Sequence, residues 1–215
     1  SFYFYKMKIK IGILGSTGSI GENTVKIITN NKKDFDTIFL STNHNIKKLY
    51  KQSIKLNPKA VIIFDKKKYF KFRKKFTNKK IKVYNSFDDL KLSIIKKKID
   101  YIMCAISGLA GLESTISCIN ATKKIAIANK ESLICAWSLI EKNLIKNKTK
   151  FIPIDSEHFS IWSLLKNNEK SIIDKIYITA SGGPFLKLPK KNFNKISVKS
   201  ALKHPNWKMG KKITI

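Results

Sequence analysis

Lys8-Ile-Lys-Ile-Gly-Ile-Leu14-Gly15-Ser-Thr-Gly18-Ser-Ile-Gly21 is the stretch on which the fold turns. Residues 8–14 are rich in isoleucine and read as a strand, and residues 22–29 place Val25, Ile27 and Ile28 at helical spacing. Three glycines stand between them. Strand, glycine-rich turn and helix present backbone N–H groups and a helix N-terminus to a phosphate. The spacing is GxxGxxG rather than GxGxxG, and a glycine turn alone is a weak signal. Its position after a clean strand, at the start of a βαβ unit, makes a dinucleotide site the reading of choice.

The pattern continues outward as apolar strands alternating with lysine-studded helices. Strands are expected at 37–41, 60–64, 81–84, 101–106 and 124–128, and helices at 66–78, 87–97, after Gly111 through Ile119, and from Asn129 to about Asn143. Unbroken apolar runs such as Tyr101-Ile-Met-Cys-Ala-Ile106 belong to strands covered on both faces. The fold class is therefore α/β, a Rossmann-like and mostly parallel sheet with helices on both faces. After the second strand comes Ser41-Thr-Asn-His-Asn45, without the Asp or Glu that an NAD site uses on the ribose. His44, with Lys47 and Lys48, suits a 2′-phosphate and points to NADP; a plain surface-loop histidine is the alternative.

Polar residues recur where later strands end. Asn129, Lys130 and Glu131 open a helix. The helix dipole favours Glu131 in that first turn but opposes Lys130, which therefore needs an anionic partner. Pro153-Ile-Asp-Ser-Glu-His158 reads as strand, acidic loop, helix. An extended backbone there would aim Asp155 and Glu157 the same way, toward a hard divalent cation. A helix cap at Asp155 or Ser156 is an equal reading. Residues 176–180 are expected to form a strand leading into Ser181-Gly-Gly-Pro-Phe185, a tight turn able to meet an oxyanion. His204, Trp207 and Met209 in a Gly/Pro-bounded loop suggest a lid over substrate or, alternatively, a surface anchor.

Composition narrows the classes. The net charge is +30, and all but one of the 44 basic residues are lysines, Arg73 being the exception. Lysines scattered in short runs lack the arginine forks and aromatic platforms of dedicated nucleic-acid binders, so no specific nucleic-acid function is expected. Cys104, Cys118 and Cys135 sit in apolar runs and match no metal or CxxC spacing, which fits free thiols in a cytoplasmic protein. No apolar run reaches the length of a membrane span, and nothing before Met7 has the layout of a cleaved signal.

Taken together, Gly15-Ser-Thr-Gly-Ser-Ile-Gly21, Ala128-Asn-Lys-Glu-Ser132, Pro153-Ile-Asp-Ser-Glu-His158, Ser181-Gly-Gly-Pro-Phe185 and His204-Pro-Asn-Trp-Lys-Met-Gly-Lys-Lys212 resemble, in order, the motifs of the 1-deoxy-D-xylulose 5-phosphate reductoisomerase family. The resemblance implies an NADPH-binding domain over residues 1–150. It also implies part of an α+β catalytic domain with a lid loop over 151–215. It implies an NADP-dependent oxidoreductase that isomerises and reduces 1-deoxy-D-xylulose 5-phosphate to 2-C-methyl-D-erythritol 4-phosphate, with Mg²⁺, Mn²⁺ or Co²⁺, in non-mevalonate isoprenoid biosynthesis.

By matching position, the resemblance gives cofactor contacts to Thr17, Gly18, Ser19, Ile20, Asn43, His44, Asn45, Asn129, Glu131 and Gly210. Substrate contacts fall to Lys130, Ser156, Glu157, Ser181, His204 and Trp207, and metal ligation to Asp155 and Glu157. Lys130, Asp155 and Glu157 carry the catalytic roles. A small phosphorylated sugar is the implied partner, together with a homodimeric assembly of the complete enzyme. The family continues beyond the position of Ile215 with a further glutamate ligand, so residues 1–215 alone are expected to bind NADPH at most, with little or no turnover. Two readings stand beside this one: a nucleotide-binding fragment without turnover, and another NADP-dependent dehydrogenase with Asp155 and Glu157 structural.

Overall fold

The computed structural model describes residues 7–77, 80–166, 172–179 and 182–203. The chain forms two compact units, residues 1–166 and 167–215. The first is a seven-stranded sheet in the order β4-β3-β2-β1-β5-β6-β7. Its strands are β1 (Ile9–Leu14), β2 (Phe35–Thr42), β3 (Ala60–Ile63), β4 (Lys82–Tyr84), β5 (Ile99–Cys104), β6 (Thr122–Ile127) and β7 (Lys150–Pro153). Every pairing is parallel. The strand order reverses direction between β1 and β5, and the carboxyl ends of those two strands are where such sheets bind ligands.

Helices cover both faces, as the unbroken apolar strands require. The helices are α1 (Ser19–Asn30), α2 (Ile46–Leu56), α3 (Lys66–Thr77), α4 (Phe87–Ile94), α5 (Leu112–Ile119), α6 (Lys130–Asn147) and α7 (Ser156–Leu165). In β3, Val61 and Ile63 join the core beneath α1, α2 and α3, whereas Ala60 and Ile62 join the one beneath α4, α5 and α6. Period-two alternation thus feeds two separate cores from one strand. Phe39 lies against Gly12, where an added methyl would come within 2.0 Å of the ring, and meets Phe87 edge to face at 5.5 Å. The β1–β2 register slips at that same point, between Ile11 and Gly12.

Two elements depart from the expectations of sequence. α2 carries four lysines among eleven residues, which masked its periodicity, although Ile46, Leu49 and Ser53 bury one face. Asn45 caps it by accepting from the Lys48 N–H. The strand expected at 176–180 does not form over its described residues, 176–179. Ile176, Tyr177 and Ile178 are exposed, and no described strand pairs with them; a lone apolar run has no ladder to join. In the second unit, Lys190–Lys195 forms a 3₁₀ turn and Val198–Ala201 a short helix, α8, capped reciprocally by Ser197 and Ser200. The expected division at residue 150 falls just ahead of β7, which pairs with β6 in the sheet of the first unit.

Candidate functional site

The glycine turn is built for close approach. Gly15 has φ +76°, and a methyl there would meet the Ala105 carbonyl at 2.7 Å. A methyl on Gly21 would lie 2.1 Å from the Gly15 carbonyl oxygen, so only glycine lets α1 pack this tightly onto the end of β1. The helix begins at Ser19, three residues earlier than its apolar pattern indicated, which makes Ser19 and Ile20 its first helical residues. Gly18 caps it without any side-chain hydrogen bond. The leading N–H groups of α1 therefore have no side-chain cap where they stand at the carboxyl ends of β1 and β5, and an anion there would also gain from the helix dipole.

Buried polar side chains fix this turn. The Gly15 N–H donates to Ser41 Oγ at 2.7 Å, and the Ser16 N–H to the Ser41 carbonyl at 2.9 Å. Ser16 Oγ donates to Gln52 Oε1 at 2.8 Å, and Gln52 Nε2 returns a 2.8 Å bond to the Ser16 carbonyl. The Thr17 and Thr42 hydroxyls lie 2.7 Å apart. Ser41 and Gln52 were not singled out from sequence. Their signal is weak, a serine at a strand end and a glutamine on the inner face of a lysine-rich helix.

The neighbouring strand ends carry the second group of expected residues. Thr42 and Ile63 are register partners, so Asn43, His44 and Asn45 emerge beside Asp65. His44 Nδ1 lies 3.3 Å from Asp65 Oδ2, and His44 Nε2 lies 3.0 Å from Asn43 Nδ2. Asp65 Oδ1 accepts from the Lys68 N–H at 2.9 Å, while Lys68 Nζ donates to the His44 carbonyl at 3.0 Å. That backbone bond from Lys68, with the nearby charges of His44 and Lys68, holds the Asp65 carboxyl below its ordinary value against the effect of burial. Lys48 pairs with Glu22, joining α2 to α1.

On the other side of β1, Asn129 caps α6. Its Oδ1 accepts from the Ser132 N–H at 3.1 Å, and its amide donates to the Gly108 carbonyl at 2.5 Å. Ser132 Oγ is buried without a hydrogen-bond partner among the described residues. α6 is interrupted at Ala136, where φ is −138° and ψ 27°. The segment from Lys130 to Cys135 thus precedes a break, and Ile140 and Leu144 anchor the remainder in the core.

Asp155 and Lys130 come together here. Ile127 and Pro153 are register partners, and the two chains continue from them into Lys130 and Asp155. Asp155 caps α7, accepting from the His158 N–H at 3.1 Å, and its Oδ1 lies 2.6 Å from His158 Nδ1. Burial pushes the Asp155 carboxyl up, but both His158 hydrogen bonds and the charges of His158 and Lys130 outweigh it and hold the group below its ordinary value. Lys130 is near enough for its charge to act on Asp155, whose hydrogen bonds go to His158.

The extended backbone expected through Asp155 and Glu157 is not observed. Ser156 is already helical, because the Asp155 side chain satisfies a free N–H of the first turn and so nucleates α7. Glu157 is exposed on that turn, and Asp155 is 10% exposed. Among the described residues no three His, Cys, Asp or Glu side chains converge to hold a metal ion. Two hard oxygen donors, Asp155 and Glu157, are what this segment offers one. Ser181, His204, Trp207 and Gly210 lie outside the described residues. Beside Ser181, Gly182 and Gly183 both have positive φ, +77° and +65°, as a tight turn demands.

Comparison with known proteins places this geometry. Residues 11–137 match the family model of 1-deoxy-D-xylulose 5-phosphate reductoisomerase, and residues 151–215 match that of its C-terminal domain. The chain is 58% identical to the 1-deoxy-D-xylulose 5-phosphate reductoisomerase of Pelagibacter ubique over 96% of its own length and 53% of the relative's. It is 41% identical to that of Caldanaerobacter subterraneus over 96% and 53%. The structure of the Zymomonas mobilis enzyme in complex with NADPH superposes with a TM-score of 0.82 at 31% identity, covering 91% of this chain and 51% of that one. A reductoisomerase complex with NADPH, fosmidomycin and magnesium superposes at 0.80 with 32% identity, covering 96% and 53%. The chain spans about half the length of the curated relatives it matches. On its sequence and on its sheet, it belongs to the 1-deoxy-D-xylulose 5-phosphate reductoisomerase family.

Proposed function

We propose that this chain supplies the NADPH site and the first part of the metal and substrate site of an enzyme converting 1-deoxy-D-xylulose 5-phosphate to 2-C-methyl-D-erythritol 4-phosphate. The observation that carries the proposal is the reversal of strand order at the carboxyl ends of β1 and β5, with uncapped N–H groups at the start of α1 on one side. On its other side stand Asn129 and Lys130, with Asp155 beside them. Residues 1–150 act as the nucleotide-binding domain and residues 151–215 begin the catalytic one.

Thr17, Gly18, Ser19 and Ile20 receive the pyrophosphate and adjoining groups, with Asn43, His44 and Asn45 around the adenosine ribose and its phosphate. Asn129, Glu131 and Gly210 complete the cofactor site, where the nicotinamide supplies hydride. Asp155 and Glu157 hold a divalent cation, which supplies Lewis acidity toward the substrate's carbonyl and hydroxyl oxygens. Asp155 suits the task because its carboxyl stays ionised at any physiological pH. Lys130 offsets negative charge that develops on the substrate, and Ser156 orients the sugar. Ser181 and His204 take the substrate phosphate by hydrogen bonds. Trp207 belongs to a lid that excludes water.

Cys104, Cys118 and Cys135 are free thiols, the first two buried, which supports assignment to a reducing cytoplasmic compartment. No helix among the described residues is long and apolar enough to cross a membrane. The complete enzyme is assigned as a homodimer on the family resemblance. The lysine excess serves solubility and attraction of anionic substrates rather than nucleic-acid recognition.

Two titrations test the proposal. NADPH should quench the fluorescence of residues 1–215 saturably, and Mn²⁺ binding, followed by electron paramagnetic resonance, should be lost in Asp155→Asn while NADPH binding persists. Failure of the wild-type chain to bind NADPH would end the reading. Retained Mn²⁺ binding in the variant would make Asp155 structural and favour a different NADP-dependent dehydrogenase.

A further inference from the structure

We propose that Asp65 is a positioning residue that sets the tautomer and charge of His44 for a 2′-phosphate; this rests on reading residues 43–45 as the ribose-phosphate site. Asp65 caps the start of α3 with one oxygen, Oδ1, and turns the other, Oδ2, toward His44. With Asp65 ionised, the imidazole proton is favoured on Nδ1, which faces Oδ2 at 3.3 Å, leaving the Nε2 lone pair to accept from the Asn43 amide at 3.0 Å. The His44 side chain is 65% exposed and that of Asp65 24%, so the imidazole is open to a ligand while its carboxylate partner is mostly covered. Lys68 fastens the arrangement from both ends, its N–H to Asp65 Oδ1 and its Nζ to the His44 carbonyl.

When a phosphate dianion arrives, Nε2 takes a proton from solvent. The imidazolium then donates Nε2–H to the phosphate and Nδ1–H to Asp65, and the Asn43 amide is released to donate alongside. The charged groups facing His44 are Asp65 from the loop after β3 and Lys68 from α3, while Lys48 of α2 is engaged by Glu22 of α1. Binding of a 2′-phosphorylated dinucleotide is thereby coupled to uptake of a proton, and binding of NADH is not.

The test is calorimetric titration of residues 1–215 with NADPH and with NADH at pH 8, in two buffers of different ionisation enthalpy, for the wild type, Asp65→Asn and His44→Gln. Asparagine keeps the α3 cap, since it serves that position as well as aspartate, and removes only the charge. Expected for both variants is loss of NADPH affinity by about tenfold or more, the range for losing a hydrogen bond to a charged group. NADH affinity stays constant and the proton uptake seen with NADPH disappears. NADPH affinity and proton uptake unchanged in Asp65→Asn would overturn the role of Asp65 alone. Equal loss toward NADPH and NADH would make Asp65 merely structural, which also overturns it. A wild type that binds NADPH no better than NADH would bring down the ribose-phosphate reading as well.

Discussion

Ser16 and Gln52 grip each other twice, the serine hydroxyl donating to the glutamine Oε1 at 2.8 Å and the glutamine amide returning a bond of 2.8 Å to the serine carbonyl. Both residues are buried, so the glycine turn is tied to α2 by a connection that water cannot replace.

Gln52→Leu keeps the volume but strands the Ser16 carbonyl, while the Ser16 hydroxyl can still donate to the Ser41 carbonyl at 3.0 Å. The stranded carbonyl costs about 1–3 kcal/mol. Urea denaturation should show a lower midpoint with an unchanged slope, and NADPH should bind more weakly. An unchanged midpoint would mean that the two bonds contribute nothing net.

Gly21→Ala drives a methyl against the Gly15 carbonyl oxygen, 2.1 Å away, and the contact is with backbone rather than a movable side chain. α1 must shift outward, at a cost on the order of 1–3 kcal/mol. Thermal unfolding should report a reduced midpoint, and NADPH affinity should fall because the α1 N–H groups no longer stand at the carboxyl ends of β1 and β5.

Asp155→Ala removes the α7 cap and should cost about 0.5–2 kcal/mol, whereas Asp155→Asn preserves it and should stay near wild-type stability. The pair separates the cap from the charge, and chemical denaturation of both variants reads the difference directly.

Asp100 accepts from Lys123 Nζ at 2.8 Å and from the Lys10 N–H at 2.9 Å, and these bonds hold its carboxyl below the ordinary value of 3.8. A depressed folded value stabilises the protein above that pH and is lost as pH falls through the folded value. Asp100→Asn should therefore be less stable than wild type at neutral pH, by no more than about 1 kcal/mol for so exposed a pair. The two should converge in acid below 3.8. A gap that persists at pH 2 would point to packing instead.

Ser132→Ala deletes a buried hydroxyl that has no partner among the described residues. Alanine also favours the helix, so the variant should be at least as thermally stable as wild type. A lowered midpoint would reveal a partner for the hydroxyl.

The sequence was most legible where backbone chemistry and pattern coincide. Gly15, Gly18 and Gly21 mark a turn that tolerates no side chain at its first and last glycines, and the buried strands announced themselves as unbroken apolar runs. α2 escaped because Lys47, Lys48, Lys51 and Lys55 dilute its apolar face. Residues 176–179 misled because apolarity signals burial or pairing somewhere, not a ladder within these residues. At Asp155 the local competition between strand and cap was decided by the His158 N–H, a backbone partner no side-chain pattern displays. The Asp65–His44 pair was invisible for a different reason: its members are 21 positions apart and meet only because β2 and β3 run parallel in register.

The lateral borders of the sheet have a consequence for life in a crowded solution. β3, Ala-Val-Ile-Ile, is the kind of segment that stacks with copies of itself when uncovered, and it lies inside the sheet. The outermost strands, β4 and β7, are three and four residues long, each begins with lysine, and β7 ends in proline. Short edges bearing ammonium groups and a residue without an N–H give a neighbouring molecule little to zip onto. On a chain of net charge +30 they leave self-association to be fought by long-range repulsion as well as by local geometry.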